Sequence, residues 1–400
     1  MLRFKNDDGS EFPEWEEKKI GELGAFIKGA ALSKADISES GSPLILYGEL
    51  YTTYKEVAYN IQRKTQAVVD KKYYSCVGDV IIPTSGESAE EISTATCVMV
   101  PDVILGGDLN IFRSDIVDGR IMSYILNHQA KWKIATIAQG KSIVHIQAKQ
   151  LSNICVKYPL SKVEQQKIAE FLSTIDTVIE KQKETVSAWE ERKKGVMQKL
   201  FSQEVRFKAD DGSEFPEWEE KKLKNILKEY KEYSAKDGSY EHVSLTKEGV
   251  VPKSERYERD FLVKDVDKKY RITHLGDICY NPANLKFGVI CRNKYGDGIF
   301  SPIYVTFKVS KDMVHEFVEM LVTRHDFIEY ALKYQQGTVY ERMSVSPDDL
   351  LSIKVMVPCI AEQQKIADCL SSLDDVIEKQ KATLAAWEEL KKGLLQQMFV

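Results

Sequence analysis

The chain of 400 residues has no run of 18 or more apolar residues, so no segment reads as a membrane-spanning helix. Its first residues, Met1-Leu2-Arg3-Phe4-Lys5, lack the apolar stretch of a secretory signal. Cysteine is scarce and odd in number. Cys76, Cys97, Cys155, Cys279, Cys291, Cys359 and Cys369 include no C-x-x-C pair, which argues against a disulfide framework or a zinc site and for buried free thiols. A soluble, cytoplasmic protein is expected. Catalytic signatures are missing too. No G-x-x-x-x-G-K-[ST] loop is present, Gly106-Gly107 stands alone, and Ser85-Gly86 lacks the flanking glycine of a nucleophile elbow. The six histidines form no ligand pattern; His315-Glu316 is followed by Glu319 where a zincin helix needs histidine. No catalytic residue and no metal ligand is therefore expected. Excess positive charge is also absent, since the net charge is −5, which argues against a simple basic nucleic-acid binder.

What is present is a duplication. Residues 3–20, RFKNDDGSEFPEWEEKKI, recur at 206–223 with changes only at the fourth and last positions. Residues 164–201 recur at 362–399 with about two thirds of positions identical. An offset near 200 residues is far beyond solenoid periods, so one whole domain has been doubled. Between these blocks the copies share only landmarks. Lys71-Lys72-Tyr73 with Gly78-Asp79 answers to Lys268-Lys269-Tyr270 with Gly276-Asp277, and Gln139-Gly140 answers to Gln336-Gly337. Pro159 and Pro358 each precede the second repeated block. A common frame with unlike contents suggests two heads doing one kind of job on different targets.

Within the heads, short β-rich runs alternate with turns, at 79–86, 95–101, 153–159, 276–282, 287–293, 301–309 and 350–358. Residues 314–334 read as a helix, with 120–135 as its counterpart. The repeated blocks carry the strongest helical signal. Apolar residues fall mostly three and four apart at Ile168, Leu172, Ile175, Ile179 and Trp189, and again at Ile366, Leu370, Leu373, Ile377 and Trp387. Ser161-x-x-Glu164 reads as a capping box. Each stripe must be buried, and the two most simply bury each other, antiparallel, along helices about 57 Å long. The fold expected is α+β: two mixed α/β recognition domains joined by two long helices packed as an antiparallel coiled coil, a pseudo-two-fold tandem repeat. The boundaries read as 1–160, 161–203, 204–360 and 361–400.

Binding is the chemistry that remains. Loops rich in Lys, Arg, Tyr, Ser, Thr and Asn carry the residue types that contact phosphates and base edges. In the first head the candidates are Lys28, Lys34, Tyr51, Tyr54, Lys55, Thr84, Ser85 and Lys141. In the second they are Lys253, Arg256, Tyr257, Asn284, Lys286, Arg292, Tyr340 and Arg342. Asn281-Pro282-Ala283-Asn284 is similar to the base-holding motif of amino-methyltransferases, but it lacks the second proline and the aromatic, so it reads as a turn ending a strand.

The repeated Glu164-Gln165-Gln166-Lys167-Ile168-Ala169 and Glu362-Gln363-Gln364-Lys365-Ile366-Ala367, the F-P-E-W-E-E-K-K lead-in and the order head–helix–head–helix resemble the specificity subunits of Type I restriction–modification systems over essentially the whole chain. That resemblance implies two target-recognition domains, each reading half of a split DNA site, with the helices setting the spacer and docking partners. It also implies partners: two methyltransferase subunits that bring S-adenosylmethionine and methylate adenine N6, and restriction/translocase subunits that use ATP and Mg2+. This chain would bind no cofactor itself, and the acidic balance is tolerable because it need not grip DNA alone. The alternative is a coiled-coil adaptor whose two heads bind proteins.

Overall fold

In a computed structural model that describes residues 2–138, 140, 143–234, 238–253, 269–336 and 343–399, the two lead-in segments fold alike. Glu16–Lys19 pairs antiparallel with Cys155–Tyr158, and Glu219–Lys222 pairs antiparallel with Lys354–Val357. Each head is thereby tied from its first strand to the strand that precedes a long helix. The helices span Lys162–Phe201 and Ile360–Phe399.

Each head contains the same four strands in the same order. In the first head these are Ala25–Lys28, Leu109–Arg113, Asp79–Pro83 and Thr96–Val98, extended by Val57–Ala58. In the second they are Leu227–Glu229, Val305–Val309, Ile278–Tyr280 and Ile290–Arg292. The four shared strands are antiparallel to their neighbours, and Val57–Ala58 joins Thr96–Val98 in parallel. The runs are apolar on both faces because both faces are covered. Val80, Ile82 and Phe112 join a core containing helix residues Ile168 and Leu172, while their neighbours Ile81 and Ile111 face the other way, into a cluster with Ile45 and Leu50. In the second head Tyr280 and Phe307 take the helix side and Cys279 and Cys291 the opposite one. The landmark Gly-Asp turns lie at the start of the central strand. Gly78 and Gly276 have φ of 93° and 89°, a region glycine enters freely, and the Asp79 and Asp277 carboxylates accept the backbone N–H of Cys76 and His274 at 2.8 and 2.6 Å.

The second sheet is where the heads part. In the first head it has four strands, ordered Ile104–Leu105, Ser42–Ile45, Arg63–Thr65 and Ile37–Ser38. In the second, five strands are seen among the described residues, ordered Tyr233–Ser234, Tyr270–Thr273, Gly298–Phe300, Glu241–Leu245 and Val250–Pro252. Some local expectations change. The run 350–358 starts with a helical turn, Pro347–Ser352, because Ser346 Oγ accepts the Asp349 N–H and proline leads the turn. The helix read at 314–334 breaks at Arg324 (ψ 142°) into His315–Thr323 and His325–Leu332. Its counterpart comprises Gly119–Tyr124, a π turn Ile125–Gln129, and Lys131–Ile137.

Two compact units result, residues 1–186 with 380–400 and residues 187–379, so each holds a head and a portion of both long helices. Within the first unit the helix segments run antiparallel: Gln182 donates to the Gln380 side chain at 2.7 Å, and Asp176 pairs with Lys391 at 2.7 Å. Within the second, Lys193 pairs with Asp374, while Leu200 shares a core with Ile366 and Leu370. Ile168, Leu172, Ile175, Ile179, Ile366, Leu370 and Ile377 are buried as expected. Leu373 is half-buried against the core of the second unit. Trp189 and Trp387 are also only half-buried, so the seam does not run uniformly through them; the Trp189 ring instead carries the Arg192 guanidinium at 5.1 Å. Among the described residues no helix is long and apolar enough to cross a membrane, and three of the seven cysteines are buried.

Candidate nucleic-acid interface

The repeated signature builds a latch in each copy. Glu164, wholly buried, accepts hydrogen bonds from Arg3 Nε and from Trp15 Nε1, both at 3.2 Å. Glu362, also wholly buried, accepts from Arg206 Nε and Trp218 Nε1 at the same 3.2 Å. The following glutamine joins two helix starts. Gln165 accepts the Asp118 N–H and donates to Pro159 O, both at 2.7 Å; Gln363 accepts the Val314 N–H at 3.0 Å and donates to Pro358 O at 2.9 Å. Asp118 and Val314 are the residues just before the matched head helices. Lys167 and Lys365 donate to the carbonyls of Lys5 and Lys208. The capping box is therefore only half made. Ser161 Oγ accepts the Glu164 N–H, but the Glu164 carboxylate serves Arg3 and Trp15 instead of returning to Ser161.

Phe399 of the second long helix packs beside Trp15 and Tyr124, both at 5.9 Å between ring centroids, and Phe201 packs beside Trp218 and Phe317. The first unit adds a buried charge cluster in which Lys391 meets Glu56 at 2.9 Å and Asp176 at 2.7 Å. Burial alone would raise the Glu56 carboxyl, but the His128 hydrogen bond and the Lys391 ammonium outweigh it and hold it well below the ordinary carboxylate range.

The candidate contact residues divide by where their strands place them. Lys28 and Lys34 are exposed and line one cleft of about 870 Å³ in the first head, together with Tyr47, Arg63 and Tyr73. Thr84 lies beside this cleft, its N–H donating to Asp108 O. Ser85 is turned inward, nearly fully buried, with its hydroxyl on Asp108 Oδ2, and the Tyr51 hydroxyl donates to Ser85 O. Tyr54 is a correction to the sequence reading: it is a core residue whose hydroxyl accepts the Gln62 N–H, and burial raises its pKa. Lys55 is exposed but adjoins Glu56 on the helix side of the head, away from the cleft. Lys141 lies outside the described residues, as do Arg256, Tyr257, Tyr340 and Arg342.

In the second head the described candidates are not gathered into one cleft. Arg292 is held by Glu316 at 2.9 Å and Glu319 at 3.0 Å, next to a hollow of about 250 Å³ with Lys294 and Tyr295. Lys253 continues the strand Val250–Pro252, its N–H on His242 O. Asn284 and Lys286 belong to the turn packed on His325–Leu332, and Lys286 covers the Phe287 ring. Asn281 accepts the Ala283 N–H, so Asn281-Pro282 is the strand-ending turn the sequence suggested. Arg63 was missed because it stands in QRKTQ, a stretch without apolar periodicity; only its basic character next to a short strand marks it.

The molecule is a two-headed protein made from a duplicated α/β domain and two long helices. It has the same fold as the S subunit of the Type I restriction-modification system from M. genitalium (TM-score 0.60, 15% identity, covering 100% of this chain and 98% of that one). A chain from a structure of a type I R-M system, described for its complex assembly and conformational transition, also shares it (TM-score 0.53, 13% identity, 97% and 98% covered). In sequence the chain is similar to the Type I restriction enzyme MjaVIII specificity subunit of Methanocaldococcus jannaschii, 25% identical over 98% of this chain and 94% of that protein. The chain belongs to the family described as Type I restriction modification DNA specificity domain, which it matches over residues 13–187 and 322–386.

Proposed function

We propose that this chain is the non-catalytic subunit that directs a Type I restriction–modification complex to a bipartite, asymmetric DNA site. Each head reads one half-site, and the helices set the unread spacer. The observation that carries this reading is the division within each head: four strands of one sheet, with the latch, recur in the same order, while among the described residues the second sheet differs in strand number and order. Sequence readout needs surfaces that can differ while their mounting stays constant. Two methyltransferase subunits would supply S-adenosylmethionine and modify an adenine N6 in each half-site, and restriction/translocase subunits would supply ATP-driven movement and cleavage with Mg2+. The chain acts in the cytoplasm, where that DNA is found.

The test is methylome sequencing of cells carrying the chain with its methyltransferase subunit. A single bipartite N6-methyladenine motif is expected, and exchanging residues 224–358 for another head should change one half of it only. A continuous motif, or none, would refute the reading, and the absence of any motif would favour the adaptor alternative.

A further inference from the structure

The first head contains four arginines, Arg3, Arg63, Arg113 and Arg120, and three are locked. Arg3 serves Glu164, Arg120 is fastened to Asp118, and Arg113 gives both Nε and Nη2 to the buried Asp79 and Nη2 also to Tyr74 O. Arg63 is different. Its Nε donates to Glu49 Oε1 at 2.6 Å, and among the described residues its two terminal nitrogens take no partner. Glu49 is buried (4% exposed) and its other oxygen accepts the Leu46 N–H at 2.9 Å, so the carboxylate is fixed from two sides. The Arg63 side chain keeps 46% of its surface and lines the 870 Å³ cleft with Lys28, Lys34 and Tyr47.

An ion pair built only for stability would engage the guanidinium fork, because two parallel N–H···O bonds are the stronger arrangement. Here Glu49 grips the arginine by its Nε alone, which fixes the direction of the side chain and leaves the fork open. A fork held in this way matches the O6 and N7 acceptors on the major-groove edge of guanine. The two cleft lysines are compact charges suited to phosphate oxygens on either side. Resting on the reading of this head as a DNA-reading domain, we infer that Arg63 reads a guanine in the first head's half-site, with Glu49 as its positioning residue and Lys28 and Lys34 on the flanking phosphates.

The experiment uses the chain assembled with its methyltransferase subunit, first to define the wild-type motif and then to measure binding to duplexes altered one base pair at a time. Arg63→Gln and Arg63→Lys are expected to lose roughly 5- to 150-fold of discrimination at one G·C pair of one half-site. Replacing that guanine by 7-deazaguanine should reproduce the loss in the wild type, because N7 is removed. Arg63→Lys keeps a cation beside Glu49, so its thermal unfolding should match the wild type while its discrimination falls. Glu49→Gln keeps an acceptor for Leu46 and should relax the same position. Lys28→Gln should weaken all sequences about equally and reduce the salt slope by about one. Arg63 variants that leave the motif unrelaxed, or that weaken every sequence evenly, overturn the assignment, as does full discrimination by the lysine variant. Absence of any bipartite motif in the wild type would instead refute the specificity role itself.

Discussion

Replacing Glu164 by alanine removes the one buried carboxylate on which both Arg3 and Trp15 depend. Breaking a buried ion pair by deleting one partner costs about 3–5 kcal/mol, mostly because the other charge is left without compensation. Arg3 would retain the carbonyls of Phe12 and Pro13 and the exposed Glu14, so the lower end, about 3 kcal/mol, applies. Local opening of the lead-in from the helix should then be roughly 100-fold more frequent. Hydrogen exchange read by mass spectrometry resolves the two copies where a global melt would not. Glu164→Ala should accelerate exchange in residues 2–15 and 162–170 while residues 205–218 stay protected, and Glu362→Ala should do the reverse. In a double-mutant cycle with Arg3→Ala, the paired change should cost less than the sum of the single ones. Little or no acceleration, or equal acceleration in both copies, would refute the claim that each signature glutamate latches its own head.

Three further predictions concern the frame. A carboxyl held below its unfolded value stabilises fully above the ordinary 4.5 and loses that contribution as the pH falls below it, so acid should loosen the Lys391–Glu56–Asp176 contact of the first unit. Lys391→Met, which leaves both carboxylates without their ammonium, should shift that loosening to higher pH, read as exchange in residues 380–399. Alanine at Gly119 would put its Cβ 1.9 Å from Gly78 O, and a change that the backbone cannot absorb should cost at least about 1–3 kcal/mol in a thermal melt. Alanine at Gly195, where nothing lies within 4 Å inside a long helix, should instead stabilise by about 1 kcal/mol.

The frame was legible because it is written twice. Identical helix starts and the Gly-Asp turns located the long helix and a strand of each head, whereas the identical lead-ins marked the repeat without revealing the first strand inside them. The work done by Glu164 was not legible, because Arg3 and Trp15 stand about 150 residues away in sequence and a glutamate three residues after serine reads locally as a cap. The contact surface was less legible still. Composition identified Lys28 and Lys34 but also Tyr54 and Arg292, since residue type does not say whether a side chain faces water, a core or two glutamates. Arg63 reaches the cleft from a three-residue strand whose register against Leu44 only the fold reveals. The helix stripes were read correctly where one core covers them and less well at the two tryptophans, which a periodic pattern cannot distinguish from seam residues.

The latch and the alternating frame strands explain why the duplicated copies can differ where they do. Residues such as Val80 and Phe112 bind the frame sheet to the helices, while Ile81 and Ile111 on the same strands bind the variable sheet from the opposite face. Period-two alternation separates the two duties residue by residue. A change in the variable sheet must keep an apolar underside against those outward-facing positions, but it need not touch the inward-facing ones, the latch or the helix starts. The second head meets this condition with a sheet that, among the described residues, has five strands where the first has four, packing Val243, Leu245 and Phe300 near Cys279 and Cys291. New surface chemistry can therefore be mounted without rebuilding the scaffold, which is the property a subunit needs if its partners are to stay the same while its target changes.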